Sequence, residues 1–415
     1  MDSKNFCASP WYEVRIDVDG SVRYCHSSHQ RFTKPTNFIQ WFNNDSKLGQ
    51  HRAQILTGDV LPSCELCQHQ EQFGLPSARQ KRNLQAAIHD QWFEDSFKQS
   101  PIQSRLNSVN VIKPAFLHVS LGNVCNLACR MCNAFNSSKV SDQRKRLNMI
   151  PTDTPTLLDW TTDDELWKSF LNLVEDNKQL LSIHFMGGEP LIHHRFYEFV
   201  DWCISNDYTN FDLNFVTNCT GYDQSLVDKL KKFNSVQIEV SVENFSTSNN
   251  YIRIGSDHQH VQSNIEQYLN NQSEQLKIIL RPVPQALSIG DYHTLIDFAI
   301  KHQLIIDNNN LSHPEFLRVV VLPTAYKNIL TEKLKQRYAK WLVPNDTIIN
   351  LRDQTKFNSV LTQHLEHLLA LLNELEPADI HSLRQQFVQF NNKLDRDQTF
   401  ISVYPDLEEF FHEHS

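Results

Sequence analysis

From Ala115 onward short apolar runs alternate with amphipathic ones, and this alternation restricts the fold more than any other feature of the sequence. Phe116 to Leu121, Leu181 to Met186, Phe211 to Thr217, Val236 to Val242, Leu276 to Val283 and Phe316 to Leu322 read as six buried strands. Helical patterns lie between them near Asn136–Leu147, His193–Asn206, Gln224–Phe233, His258–Leu269 and Asp291–His302. Parallel strands need long crossovers, normally helices, so repeated strand–helix units predict a parallel sheet covered by helices. The expected class is α/β, the strands forming an open sheet or a partial (β/α)6 barrel of the TIM type. Ligands of such sheets collect at the C-terminal strand ends, so the loops after the strands are where chemistry is expected.

The flanks have a different character. Tyr12 to Tyr24 alternates apolar and polar residues around Asp19-Gly20, a β-hairpin signal. A helix near Phe38 to Thr57 ends at Gly58, and a polar helix near Ala78 to Phe97 leads into Pro101 and Pro114, a linker pattern. Beyond about Asn345, Val360–Leu375 and Ala378–Leu394 look amphipathic and helical. A chain of 415 residues is expected to hold more than one core. Three segments are expected: a small α+β domain over 1–100, the barrel domain over 114–325 and a helical extension over 326–415.

Cysteine placement carries the chemistry. Of nine cysteines, seven fall in the first third of the chain. Clustered thiols without a secretory signal read as metal ligands before disulfides. Cys125, Cys129 and Cys132 form C-x3-C-x2-C in the loop after the first barrel strand. Three thiolates select zinc or iron–sulfur, and the lack of a nearby fourth ligand leaves one coordination position open. Glycine is scarce, ten in all, and only Gly187-Gly188 stand together.

The loop at Cys125–Cys132, Met186-Gly-Gly-Glu-Pro190 after the second strand and Thr217-Asn-Cys-Thr220 after the third come in the order of the radical S-adenosylmethionine (SAM) superfamily, which the stretch 115–322 resembles. The resemblance implies that Cys125, Cys129 and Cys132 hold a [4Fe–4S] cluster whose fourth iron is chelated by the amino and carboxylate groups of SAM. By the same resemblance Gly187, Gly188, Glu189 and Pro190 receive the SAM ammonium. Ser241 and Arg253 match its ribose- and carboxylate-contacting positions, Met131 the residue packed near adenine, and Asn218 keeps its place in the third motif. Two departures stand out: Cys219 where many relatives have Gly, and Val242-Glu243 in place of Ile-Asp.

Cys7, Cys25, Cys64 and Cys67, with Gly20 at the hairpin and Glu71, Ser77 and Arg79 downstream, resemble a twitch or SPASM-type auxiliary-cluster module. That resemblance implies one four-cysteine auxiliary [4Fe–4S] cluster. On spacing alone a four-cysteine zinc site fits equally well. The implied activity is reductive cleavage of SAM to a 5′-deoxyadenosyl radical that abstracts hydrogen, with a peptide or protein as the first candidate substrate. A flavodoxin- or ferredoxin-type electron donor is implied with it. Two other readings stay open: a noncatalytic scaffold with structural zinc knuckles, and radical SAM chemistry on a small molecule or an RNA base.

The remaining signals are bland. A net charge of −9 argues against a nucleic-acid partner. Apolar runs fall short of the roughly 18 residues that span a bilayer, and the first residues lack a signal-peptide core, so a cytoplasmic protein is expected. Cys203 reads as core, Cys219 as a small buried filler, and Arg144-Lys145-Arg146 as a solvated helix face. No general base stands out.

Overall fold

The computed structural model describes residues 5–72, 77–97, 112–307, 311, 313–342 and 354–414. Pro101 of the expected linker and the boundary near Asn345 lie outside the described residues. The architecture is α/β with a mostly parallel central sheet and helices. Two compact units are formed, one from Met1–Val124, Leu157–Phe215 and Asp228–Val236, the other from Cys125–Thr156, Val216–Val227 and Gln237–Ser415.

In the first unit the hairpin forms as expected: β1 (Glu13–Ile16) and β2 (Val22–Arg23) pair antiparallel across Gly20, whose φ is +81°. β1 has a second neighbour that alternation alone does not reveal. It runs parallel to β3 (Phe116–Ser120), with Glu13 opposite Phe116 and Ile16 opposite Val119. β5 (Ser182–Met186) lies parallel beside β3, and β6 (Asp212–Thr217) parallel beside β5. Because side chains alternate along a strand, Leu117, Val119, Ile183, Phe185, Leu213 and Phe215 share one buried face. Helix Asp164–Val174 covers it with Phe170 and helix His194–Ser205 with Phe196 and Phe199. The rings of Phe196 and Phe199 stand 5.4 and 5.1 Å from Phe185, an aromatic core that adds about 0.5–1.5 kcal/mol per pair to the area buried. The helix at 164–174 went unread in the sequence although its signals are present. Asp163 caps it by accepting from Leu166 N, and Leu166, Phe170 and Leu173 follow at helical spacing.

In the second unit β4 (Ala128–Cys129) pairs antiparallel with β8 (Arg253–Ile254), setting Cys129 opposite Arg253. β7 (Ser235–Val240) neighbours β9 (Leu276–Leu280). Helices Ser138–Arg146, His258–Leu269, Tyr292–His302 and Ile380–Leu394 fall within two residues of where the sequence pattern sets them. The stretch Phe316 to Leu322 differs from expectation. Instead of a sixth strand it forms two short 3₁₀ turns, Glu315–Leu317 and Val319–Val321. Val319 through Leu322 are all buried, and a continuous apolar run reports burial without reporting a period. No described helix is long and apolar enough to cross a membrane.

Candidate functional site

The C-x3-C-x2-C loop is held from several sides within the second unit. Cys125 N donates to Ser138 Oγ at 3.2 Å. Asn126, next to it, accepts from Asn218 Nδ2 at 2.8 Å and donates to Thr220 Oγ1 at 2.7 Å, so the third motif is bonded to the first. Ser241 N donates to Thr217 O at 2.8 Å, which brings the fourth candidate position to the same strand end. Cys219 is fully buried in the left-handed region, φ +56°, a conformation that suits glycine and explains why the substitution is unusual.

The three thiols act on one another. Burial first, opposed by Arg253 and reinforced by the neighbouring cysteines, brings Cys129 up to about 12; burial and Cys125, against Arg253, bring Cys132 up to about 11. Thiols this desolvated stay protonated at neutral pH, and a bound metal is what removes their protons. The donor set is therefore that of a soft-metal site. Arg253 extends Nη2 to Glu243 Oε1 at 2.5 Å and sets Nη1 3.7 Å from Cys129 Sγ. Glu243 in turn accepts from Val283 N at 2.8 Å. The Nε of Arg253 is buried without a partner among the described residues, a donor left over beside the thiols. Glu243, the departure from Ile-Asp, is thus the residue that aims Arg253.

Arg130, between Cys129 and Cys132, is a functional residue the sequence did not single out. It is buried, its guanidinium 3.6 Å from the Tyr251 ring centroid. Nε donates to Tyr251 O at 2.9 Å, Nη1 to Asn391 Oδ1 at 3.0 Å and Nη2 to Asp395 Oδ1 at 2.9 Å. The cluster loop is bolted to the end of helix Ile380–Leu394. Arg144 also departs from expectation. Arg146 of the same run is exposed, but Arg144 is largely buried and donates to Arg130 O at 3.2 Å and Cys132 O at 3.5 Å. The two-residue step between these positions turns the helix by about 200°, which separates a solvated position from an inward one.

The Gly-Gly-Glu-Pro segment lies in the first unit, directly after β5. Gly188 has φ +57°, and a Cβ there would sit 2.2 Å from Val124 O. Glu189 N donates to that same carbonyl at 2.8 Å, and the Glu189 side chain caps the turn that starts at Pro190 by accepting from Leu191 N at 3.1 Å. The glycine pair therefore presses the turn onto the chain just before Cys125. Gly188→Ala is expected to cost about 1–3 kcal/mol from the left-handed backbone alone, with the carbonyl clash added. Anaerobic urea melts would register it as a lower midpoint with unchanged slope.

The second cysteine set converges as well. Cys7, Cys25, Cys64 and Cys67 line one cavity of about 290 Å³ in the first unit, with Tyr24 and Arg79 on its wall. Burial pushes Cys7 up to about 11, and Cys25 and Cys64 also lie above their ordinary value for that reason first. Beside this set lies a cluster hidden from sequence reading. Glu13 is fully buried, on a strand that lies between β2 and β3. It accepts from His26 N at 2.6 Å and from Arg82 Nε at 3.0 Å, and lies 3.6 Å from His118. Burial pushes its carboxyl up, but Arg82 and His26 outweigh that and hold it well below the usual range. Glu13, His26 and His118 approach metal-ligand spacing, yet Arg82 already balances the carboxylate, so the cluster reads as a clamp on the Cys25 loop. Cys203 is buried on an apolar helix face, as expected.

Residues 119–283 match the Radical SAM superfamily. The radical SAM cyclopropyl synthase TigE of Paramaledivibacter caminithermalis is 31% identical over 159 residues, 37% of this chain and 32% of that protein. The chain thus spans about a third of the length of this curated relative. Among solved structures, anSMEcpe with bound AdoMet is similar over 55% of this chain and 60% of its own, with a TM-score of 0.40 and 18% identity. Streptococcus suis SuiB bound to S-adenosylmethionine is similar over 81% of this chain and 69% of its own, with a TM-score of 0.35 and 14% identity.

Proposed function

We propose that this chain, which carries a radical SAM domain over residues 119–283, is a radical SAM enzyme acting on a peptide or protein. The observation that carries the reading is the C-x3-C-x2-C loop itself, with Cys129 buried and Cys125 and Cys132 half-buried, bonded to the third motif through Asn126 and with an arginine donor to spare beside it. Cys125, Cys129 and Cys132 would hold a [4Fe–4S] cluster and leave one iron for SAM. Held there, a reduced cluster would supply the one electron that cleaves SAM to methionine and a 5′-deoxyadenosyl radical able to abstract hydrogen from substrate. The chain's own residues bind, orient and shield. Arg253 balances the charge at Cys129, and Asn126, Asn218 and Thr220 fix the loop. Gly187, Gly188, Glu189 and Pro190 would offer backbone carbonyls and a carboxylate to the SAM ammonium, Ser241 its ribose contact, and Met131 an apolar wall for adenine.

The N-terminal cysteines belong to the same reading as a twitch-like auxiliary [4Fe–4S] site within the domain over 1–100, followed by a partial-barrel domain over 114–325 and the helical extension over 326–415. The cleft of about 290 Å³ that the four cysteines line has room for a polyatomic cluster. The resident clusters call for a flavodoxin- or ferredoxin-type donor and a cytoplasmic setting. TigE is named as a cyclopropyl synthase and SuiB has been solved bound to the precursor peptide SuiA, which agrees with a peptide as the substrate class.

Anaerobic reconstitution followed by reduction tests the proposal. The expected result is about eight iron and eight sulfide per chain, and 5′-deoxyadenosine formed from SAM. Zinc without sulfide would overturn it in favour of a scaffold. Cys67→Ala is expected to remove about half of the iron while reduced protein still converts SAM to 5′-deoxyadenosine. Metal analysis beside product chromatography reads both halves of that result.

A further inference from the structure

Within the second unit the cysteine loop and the helix Ile380–Leu394 flank an open cleft of about 650 Å³, inside the size range of small-ligand sites. Away from Met131, which the radical SAM reading gives to adenine, its walls combine apolar surface from Phe316 and Phe390 with the basic side chains of Arg144 and Lys393. No carboxylate lines it among the described residues. Neither basic group has an acidic partner there. Arg144 donates from Nη2 only to the Arg130 and Cys132 carbonyls, packs 4.7 Å from the Phe390 ring centroid and leaves its buried Nε without a partner. Lys393 is exposed at the cavity edge.

We propose that this cavity is a substrate subsite that takes the carboxylate of a glutamate or aspartate side chain in a peptide. The inference rests on the radical SAM reading of the loop that bears Cys132 and adds a specificity to it. Two cations without a carboxylate partner, over an apolar floor, fit an acid on a short apolar stem, because the charge is met by charge-assisted bonds while the methylenes are desolvated. A peptide suits the site better than a free acid. Gln386, Gln389 and Lys393 are exposed on one stripe of the helix, running about 10 Å at 1.5 Å per residue, the length of about three extended residues.

The test uses the full chain, anaerobically reconstituted and loaded with SAM, titrated by calorimetry with a capped Ala-Glu-Ala tripeptide, its Ala-Gln-Ala twin and glutarate. The glutamate peptide is expected to bind about tenfold tighter than its twin, the size of one charge-assisted contact, and to weaken with added salt. Lys393→Glu is expected to reduce its affinity about tenfold or more, and Arg144→Gln to act in the same direction. Lys139→Glu, the same charge change at an exposed site outside the cavity, is expected to leave the affinity as it was. Equal binding of the two peptides, or equal losses from Lys393→Glu and Lys139→Glu, overturns the subsite. Glutarate binding as tightly as the peptide overturns the peptide assignment in favour of a small acid. 5′-Deoxyadenosine measured on the same samples separates the two levels. If it forms without peptide discrimination, only the subsite falls; if discrimination appears without it, only the radical chemistry does.

Discussion

Cys129→Ala is expected to lower 5′-deoxyadenosine formation from SAM by on the order of 10³ or more, because the three thiols act as a unit and losing one removes the function of all. Cys129 is the most constrained of the three. It sits in β4 opposite Arg253, and its sulfur is the one that Arg253 approaches at 3.7 Å. If both proposed four-iron sites are filled, the variant should also lose about half of the iron. Cys203→Ala supplies the contrast. That thiol is buried on the helix His194–Ser205, and its removal should leave iron content intact and cost only the small packing loss of a trimmed core residue. Iron retained in Cys129→Ala at the level of the parent protein would sink the assignment of this loop.

The second large effect concerns Asp395, more than 260 residues from the loop it supports. Asp395 Oδ1 accepts from Arg130 Nη2 at 2.9 Å and from Tyr251 Oη at 2.8 Å, while Oδ2 accepts from Phe400 N at 2.8 Å. Removing the carboxylate strands a buried guanidinium, a loss of about 3–5 kcal/mol. Asp395→Ala should therefore melt at clearly lower denaturant concentration. Asp395→Asn keeps the hydrogen-bond acceptor without the charge, and should recover part of the loss. Because Arg130 lies between Cys129 and Cys132, the reduced protein should also change its electron paramagnetic resonance signal in Asp395→Ala. A change in stability with an unaltered signal would show that Arg130 supports the fold without positioning the metal site.

Much of this was legible beforehand. The strands at 116–120, 182–186, 212–217, 235–240 and 276–280 follow apolar runs bounded by polar turns, and the helices between them follow their period. Both cysteine sets were legible as sets, since spacing within a loop or a hairpin limits where thiols can go. The pair Gly187-Gly188 was legible as a marked position because glycine is so scarce, but its close approach to Val124 O was not. Phe316 to Leu322 misled because a fully buried stretch has no polar side to reveal its period.

What the sequence determined by itself is local: which segments become strands or helices, and which thiols fall close together along the chain. Those outcomes depend on side-chain alternation and on covalent distance, both written along the chain. Tertiary structure alone decided that Glu13 is interior, that Arg144 turns inward while Arg146 stays in water, and that Asp395 answers Arg130. A charged residue looks the same in a sequence whether solvated or buried. Its role is set by desolvation and by the partner that compensates it, and that partner is chosen only when distant segments close on one another.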